Sequence, residues 1–229
     1  DTVMTGKISY DSKAESFTFN GGASSSTEAL ENGNTAITST VHKNASKGVT
    51  VTDTTNQVSF TMTPSFSASS GRQDGNRIVF PLSNGQSGWL VYTMEGTGVK
   101  EDILLNNSGS SELTFNYTID LGSKLEARME SDGSIGIYGN TLFSSNIATS
   151  TDADAALLEK ARQNAAKTTY LFGIPAPLIT EQGNGSSKVE AKYELKGSNL
   201  TLRVTNLKAG KYPLSIDPSI YVVTAQQFM

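Results

Sequence analysis

The chain has no cysteine and a single histidine, His42, in 229 residues. The first absence excludes disulfide frameworks, thiolate metal sites and thiol nucleophiles. The second excludes multi-histidine metal centres and any mechanism that needs two imidazoles. Charged residues make up 17% of the chain, below the roughly 25% of ordinary soluble domains. The 18 Lys and Arg form no run, and with 22 Asp and Glu the net charge is −4. Nucleic-acid binders draw affinity from phosphate neutralisation and carry a basic footprint. None is present, so no nucleic-acid partner is expected. No apolar run approaches the ~18 residues of a membrane-spanning helix, so no transmembrane segment is expected. No secretory leader is evident either. The sequence opens at Asp1 and closes soon after the apolar run Ile220–Val223, which leads us to expect a segment of a longer, processed polypeptide.

What the chain does have is small polar residues. Ser (29), Thr (26), Asn (16) and Gly (21) make up 92 residues, about two fifths of the total. The lack of cysteine leaves the redox compartment open. The Ser/Thr/Asn richness points to an extracellular or cell-surface location. Five Asn-x-Ser/Thr sequons, at Asn44, Asn106, Asn116, Asn184 and Asn199, would matter only in a secretory setting.

Period-two alternation dominates the pattern. Val58-Ser59-Phe60-Thr61-Met62-Thr63 sets Val, Phe and Met on one side of a strand and Ser/Thr on the other; Glu112–Ile119 and Asn199–Thr205 repeat it. Each such run has a dry face and a wet face, the mark of antiparallel sheets. Weaker strand patterns run over Met4–Tyr10, Ser16–Phe19, Ala36–Val41, Val49–Thr52, Arg77–Leu82, Gly88–Met94, Val99–Leu105, Leu125–Met129, Ser134–Tyr138, Lys188–Leu195 and Ile220–Thr224. Steps such as Asn84-Gly85 and Asp132-Gly133 supply tight turns. The expected fold is all-β: an antiparallel β-sandwich, one large or two in series. The alanine-rich stretch 153–166, capped by Thr151 or Asp152, predicts one short helix. It reads as a connection over a sheet edge or face rather than a partner-docking element. A soft boundary separates a β-rich region over 1–87 from a sandwich region over 88–229.

Chemistry-bearing patterns are few. His42 would need an orienting acid and a nucleophile to act in a triad, and no Gly-x-Ser-x-Gly elbow is present. Glycoside hydrolysis needs only two carboxylates. The sequence offers Glu126, Glu130 and Asp132, then Glu101 with Asp102, and Glu190 with Glu194. The first and last groups sit among basic neighbours and read as solvated ion-paired faces. Calcium is the ion best suited to Asp152 and Asp154 or to the turn Asp74-Gly75-Asn76, but turn formation alone explains these residues. Lys100, Lys188 and Lys192 are strand lysines of the kind that could form an amide staple with Asn or Asp in an apolar core. Lysines facing water are the ordinary case.

Tyr212-Pro213-Leu214-Ser215-Ile216-Asp217-Pro218 resembles a recurrent element of large secreted bacterial cell-surface proteins. These include wall-associated Rhs/YD-repeat proteins and proteins with DNRLRE-type domains. Gly98–Leu105 is similar to a strand of the same proteins. Asp132-Gly133-Ser134-Ile135 and Phe172-Gly173-Ile174-Pro175-Ala176-Pro177 resemble two further elements, in the same order. The likeness covers about residues 89–224. It implies a β-sandwich region within a long exported polypeptide, a scaffold role and no catalytic residues. YD repeats and a toxin domain, which are usual in that context, are not visible in this sequence.

The expectation is a structural segment of an extracellular bacterial surface protein, forming a fibre, surface layer or stalk. It would pair with copies of itself or with other parts of the same polypeptide, through sheet packing and edge-strand pairing. The candidate assembly strands hold Met4 and Ile8 at one end and Ile220, Tyr221, Val222 and Val223 at the other. No catalytic residue, cofactor or metal is expected. The alternative is a carbohydrate- or host-surface-binding module. Its mark would be an exposed aromatic platform drawn from Trp89, Tyr92, Tyr138, Tyr170 and Tyr221.

Overall fold

A computed structural model describes residues 8–21, 37–54, 56–96, 98–140, 151–183, 187–218 and 220–222. The alternating runs form strands. In chain order these are β1 (Ile8–Asp11), β2 (Ser16–Gly21), β3 (Ile37–His42), β4 (Val49–Asp53), β5 (Val58–Pro64) and β6 (Arg72–Asp74). Next come β7 (Arg77–Pro81), β8 (Gly88–Glu95), β9 (Gly98–Leu105), β10 (Leu113–Asp120), β11 (Glu126–Met129) and β12 (Ile135–Gly139). Helix α1 (Asp152–Asn164) precedes β13 (Thr169–Ile174), β14 (Leu178–Glu181), β15 (Glu190–Lys196), β16 (Asn199–Thr205), β17 (Leu214–Asp217) and β18 (Ile220–Val222).

The strands build an antiparallel all-β sandwich. The first sheet runs β1-β2-β3-β4-β5-β10-β16-β15 and the second β11-β12-β13-β18-β9-β8-β7-β6, with β17 beside β9 and β14 beside β17. The inward residues of both sheets form one core cluster. Phe60 of the first sheet meets Phe172 of the second edge-to-face, ring centres 5.0 Å apart, as aromatic pairs prefer. No seam falls at the boundary expected after residue 87. Strands β7 and β8 pair across it from Arg77↔Thr93 to Pro81↔Trp89, and each sheet takes strands from both sides.

Prolines interrupt the second sheet where the ladder must break, because Pro has no N–H to give. β17 and β18 follow one register along β9, Ile216 opposite Ile103 and Ile220 opposite Val99. Pro218 stands in the gap between them. Pro175 and Pro177 separate β13 from β14 in the same way.

This placement corrects the expectation for the C-terminal assembly strand. Ile220, Tyr221 and Val222 lie between β9 and β13 and pair on both sides, and Ile220 is buried. The run is apolar because it is an interior strand, so its backbone offers no free edge. Ile8 opens β1, the outer strand of the first sheet, with its side chain in the core. Met4 and Val223 lie outside the described residues.

The helix occupies 152–164 rather than 153–166. Thr151 Oγ1 accepts from the Asp154 N–H at 3.1 Å and donates to Asp154 Oδ2 at 2.8 Å, a reciprocal cap. α1 links the neighbouring strands β12 and β13 and faces solvent along most of its length, with Leu157 exposed.

Candidate functional site

The outer face of β6–β9 carries an open concavity. On β8 the alternation sends Leu90, Tyr92 and Met94 into the core, which leaves Trp89, Val91, Thr93 and Glu95 on the outer face. On β9 the inward set is Val99, Glu101, Ile103 and Leu105, and the outward set Lys100, Asp102 and Leu104. Together with Arg72, Gln73 and Asp74 of β6, Asn76 of the turn, and Arg77 and Val79 of β7, these outward residues line an open groove of about 910 Å³. Val91, outward yet only 6% exposed, sits low in the groove.

Trp89 and Leu104 are cross-strand partners on this outer face. A Cβ built on Gly88 would fall 1.9 Å from the Leu104 carbonyl oxygen. Only glycine therefore lets β8 and β9 come this close beside the indole. On the far side of Trp89 a second depression of about 450 Å³ is lined by Leu104, Pro213, Leu214 and Thr180, among others. Trp89, 36% exposed, contributes to both.

The polar part of the groove is held by ion pairs. Lys100 Nζ lies 3.1 Å from Asp102 Oδ2 and 3.3 Å from Asp217 Oδ2. Ser215 Oγ donates to Asp102 Oδ1 at 2.9 Å. Partial burial works against the Lys100 charge, but the hydrogen bonds and charges of Asp102 and Asp217 outweigh it and raise its pKa. Lys100 thus has a half-exposed side chain in an ion-pair network, not a buried one beside a lone acid. Lys188 and Lys192 are exposed. No lysine among the described residues has the dry surroundings an amide staple needs.

The candidate carboxylates are engaged elsewhere or divided between faces. Glu101 faces the core and Asp102 the groove. Glu126 pairs with Arg128, Glu130 accepts from the Tyr138 hydroxyl, and Asp132 closes its own turn by accepting from Ser134. Glu194 binds Arg203 at 3.2 Å. His42 ends β3 with its Nδ1 buried and without a hydrogen-bond partner, so no acid orients the ring through that nitrogen. Asp74-Gly75-Asn76 is the β6–β7 turn, with Gly75 at φ +61°, and Asp154 is spent on the helix cap. Among the described residues no three His, Asp or Glu side chains gather as metal ligands.

Of the aromatic candidates whose side chains are described, only Trp89 lines the groove. Tyr92 is in the core. Tyr138 and Tyr170 meet edge-to-face at 5.2 Å and cover Gly136, where any Cβ would strike both rings and Glu130. Arg128 lies over the Tyr138 ring at 4.3 Å, a cation–π contact. The side chain of Tyr221 lies outside the described residues.

One feature escaped the sequence reading. Glu101 is fully buried and accepts a hydrogen bond from the Tyr117 hydroxyl across the sandwich. Tyr92, its partner on β8, and Tyr193 on β15 bring two more buried hydroxyls to this polar knot, and neither they nor Glu101 Oε2 has a hydrogen-bond partner. Burial raises the Glu101 carboxyl to about 8, against the hydrogen bond from Tyr117, which lowers it. The same burial pushes all three phenols well above their usual range. The signal was in the alternation: Glu101 shares the inward phase with Val99, Ile103 and Leu105. No protein-family model and no curated protein matches the chain.

Proposed function

We propose that the chain is a structural unit of an extracellular bacterial surface assembly. The observation that carries this reading is the convergence of four distant motif elements. Gly98–Leu105 is β9, Tyr212–Pro218 contains β17, Asp132–Ile135 leads into β12, and Phe172–Pro177 closes β13. All four adjoin in the middle of the second sheet, in the order β12-β13-β18-β9 with β17 also on β9. Their principal side chains are core residues, among them Ile103, Ile135, Phe172, Leu214 and Ile216, and their prolines mark ladder breaks. Elements that resemble those of exported surface proteins thus specify a framework here, not reactive groups. The Ser/Thr-covered strands fit the same setting.

Lateral assembly would use β1. Exposed edges template further strands unless charge or shortness blunts them. Edge strand β15 alternates Glu190, Lys192, Glu194 and Lys196, and β6 and β11 each carry two charges, Arg72 with Asp74 and Glu126 with Arg128. β1 carries one charge, Asp11, at its end. Electron micrographs and light scattering of the purified chain should show ordered oligomers or filaments. Alternate residues of an edge strand point their N–H outward. Of Ser9→Pro and Tyr10→Pro, one therefore keeps the β1–β2 ladder and should abolish assembly with its circular dichroism intact. A monodisperse monomer at all accessible concentrations overturns the proposal.

A further inference from the structure

We infer that the groove over β6–β9 is a binding site for a neutral oligosaccharide, with Trp89 as its stacking platform. The inference stands whether or not the chain assembles.

The first argument is charge. Arg72, Arg77 and Lys100 are matched in the groove by Asp74, Glu95 and Asp102. Three cations against three anions leave no net field to attract a polyion. Lys100 and Asp102 are moreover tied to each other and to Asp217 and Ser215. A polyanion draws its affinity from Lys and Arg in excess of nearby acids, and this groove has no such excess. What the mixed lining does offer is donors and acceptors side by side, with the amides of Gln73 and Asn76 between the charges. Adjacent hydroxyls on a sugar ring each donate and accept, and the planar fork of Arg beside a carboxylate matches that demand.

The second argument is the indole. A pyranose has one face of C–H bonds, which packs on an aromatic surface while the ring's rim keeps its hydrogen bonds. Trp89 is the only tryptophan and one of the few large apolar side chains left exposed. It stands between the polar groove and the apolar shelf of Leu104, Pro213 and Leu214. Binding sites of small ligands combine apolar walls with a few convergent polar groups in this way.

The third argument is rigidity. The groove lies on four hydrogen-bonded strands rather than on loops, and sites on regular elements hold their geometry best. At ~4.8 Å between strands the four span about 14 Å, so the ligand is an oligosaccharide rather than a single ring.

The test is titration of the whole chain with neutral hexasaccharides of β-linked glucose, β-linked N-acetylglucosamine and α-linked mannose. Trp89 emission and calorimetry are the two readouts. At least one sugar should shift the emission and bind at millimolar concentration or below, with little dependence on salt. Trp89→Ala should weaken binding by at least about tenfold without changing the unfolding transition, and Trp89→Phe should retain most of it. If Trp89→Ala fails to fold, Arg77→Ala, at an exposed position, should weaken binding instead. The proposal falls if none of the three sugars binds, if binding ignores these substitutions, or if only heparin binds and does so in a salt-dependent way.

Discussion

The two sheets treat the same alternation differently. In the first, apolar residues hold most inward positions, with Ser39 and Asp53 as buried polar exceptions. Val41, Val51, Phe60, Met62, Phe115 and Leu202 fill the interior, and hydroxyls and amides line the outside and bond one another. Thr50 and Thr61 Oγ1 lie 2.7 Å apart, Thr38 donates to Asn20 at 3.0 Å, and Thr201 to Asn116 at 2.9 Å. In the second sheet the two largest departures sit side by side on adjacent strands. An acid, Glu101, enters the dry side of β9, and an indole, Trp89, stands on the wet side of β8. A wet face whose groups satisfy each other has little left for a ligand. Departures from pattern mark where a sequence accepts a cost, and such departures concentrate at functional or strained positions.

The largest effect should come from the inner departure. The ordinary Glu value is 4.5, and in the fold it is about 8. Between those values the unfolded chain has shed the proton and the folded chain keeps it, so stability falls as pH rises. At 1.36 kcal/mol per unit the total is roughly 5 kcal/mol at most. Glu101→Gln keeps the shape and removes the titration. Urea midpoints should decline through this window for the parent chain and stay level for the variant, which becomes the more stable of the two near pH 9. Parallel profiles would mean that Glu101 is ionised in the fold.

A smaller effect tests the knot itself. Tyr117→Phe removes the hydrogen bond that holds the Glu101 carboxyl down, so that carboxyl should titrate higher still by carbon NMR. The stability cost should be about 1–3 kcal/mol, greatest at alkaline pH, where the acceptor is charged. A Glu101 titration that stays put or moves down would show that Tyr117 is not its main donor.

Much of this was legible, and unevenly so. Val58–Thr63, Glu112–Ile119 and Asn199–Thr205 declared strands because each has one dry and one wet face. Their pairing was not legible, since β10 joins β5 to β16 across long stretches of chain. Ile220–Val222 read as a terminal edge because an apolar run looks the same whether one partner or two flank it. β13 and β17 were seen as motifs rather than strands, because prolines cut them short, and β14 was not singled out at all. The groove's indole was among the aromatics singled out, but four tyrosines stood beside it with equal standing. Burial separated Tyr92 from Trp89, and the local signal for it was phase alone: Tyr92 alternates with Leu90 and Met94, Trp89 with Thr93 and Glu95. Glu101 was paired with Asp102 by proximity, although neighbours on a strand face opposite ways.

The smallest effects should distinguish the two wet faces. Thr50→Val keeps the β-branch and removes the hydroxyl that meets Thr61, a cross-strand pair that contributes about 0.2–1 kcal/mol. Lys100→Met removes a half-exposed cation from Asp102 and Asp217, and solvent screening holds that loss to about 1 kcal/mol or less. The two costs are similar in size but differ in origin. Added salt should erase most of the Lys100→Met difference in urea midpoint, because it screens exposed charge. It should leave the Thr50→Val difference in place, because a hydroxyl pair carries no net charge to screen. If both differences shrank alike, the ion-paired face and the hydroxyl face would be energetically equivalent. The contrast between the sheets would then rest on Trp89 and Glu101 alone.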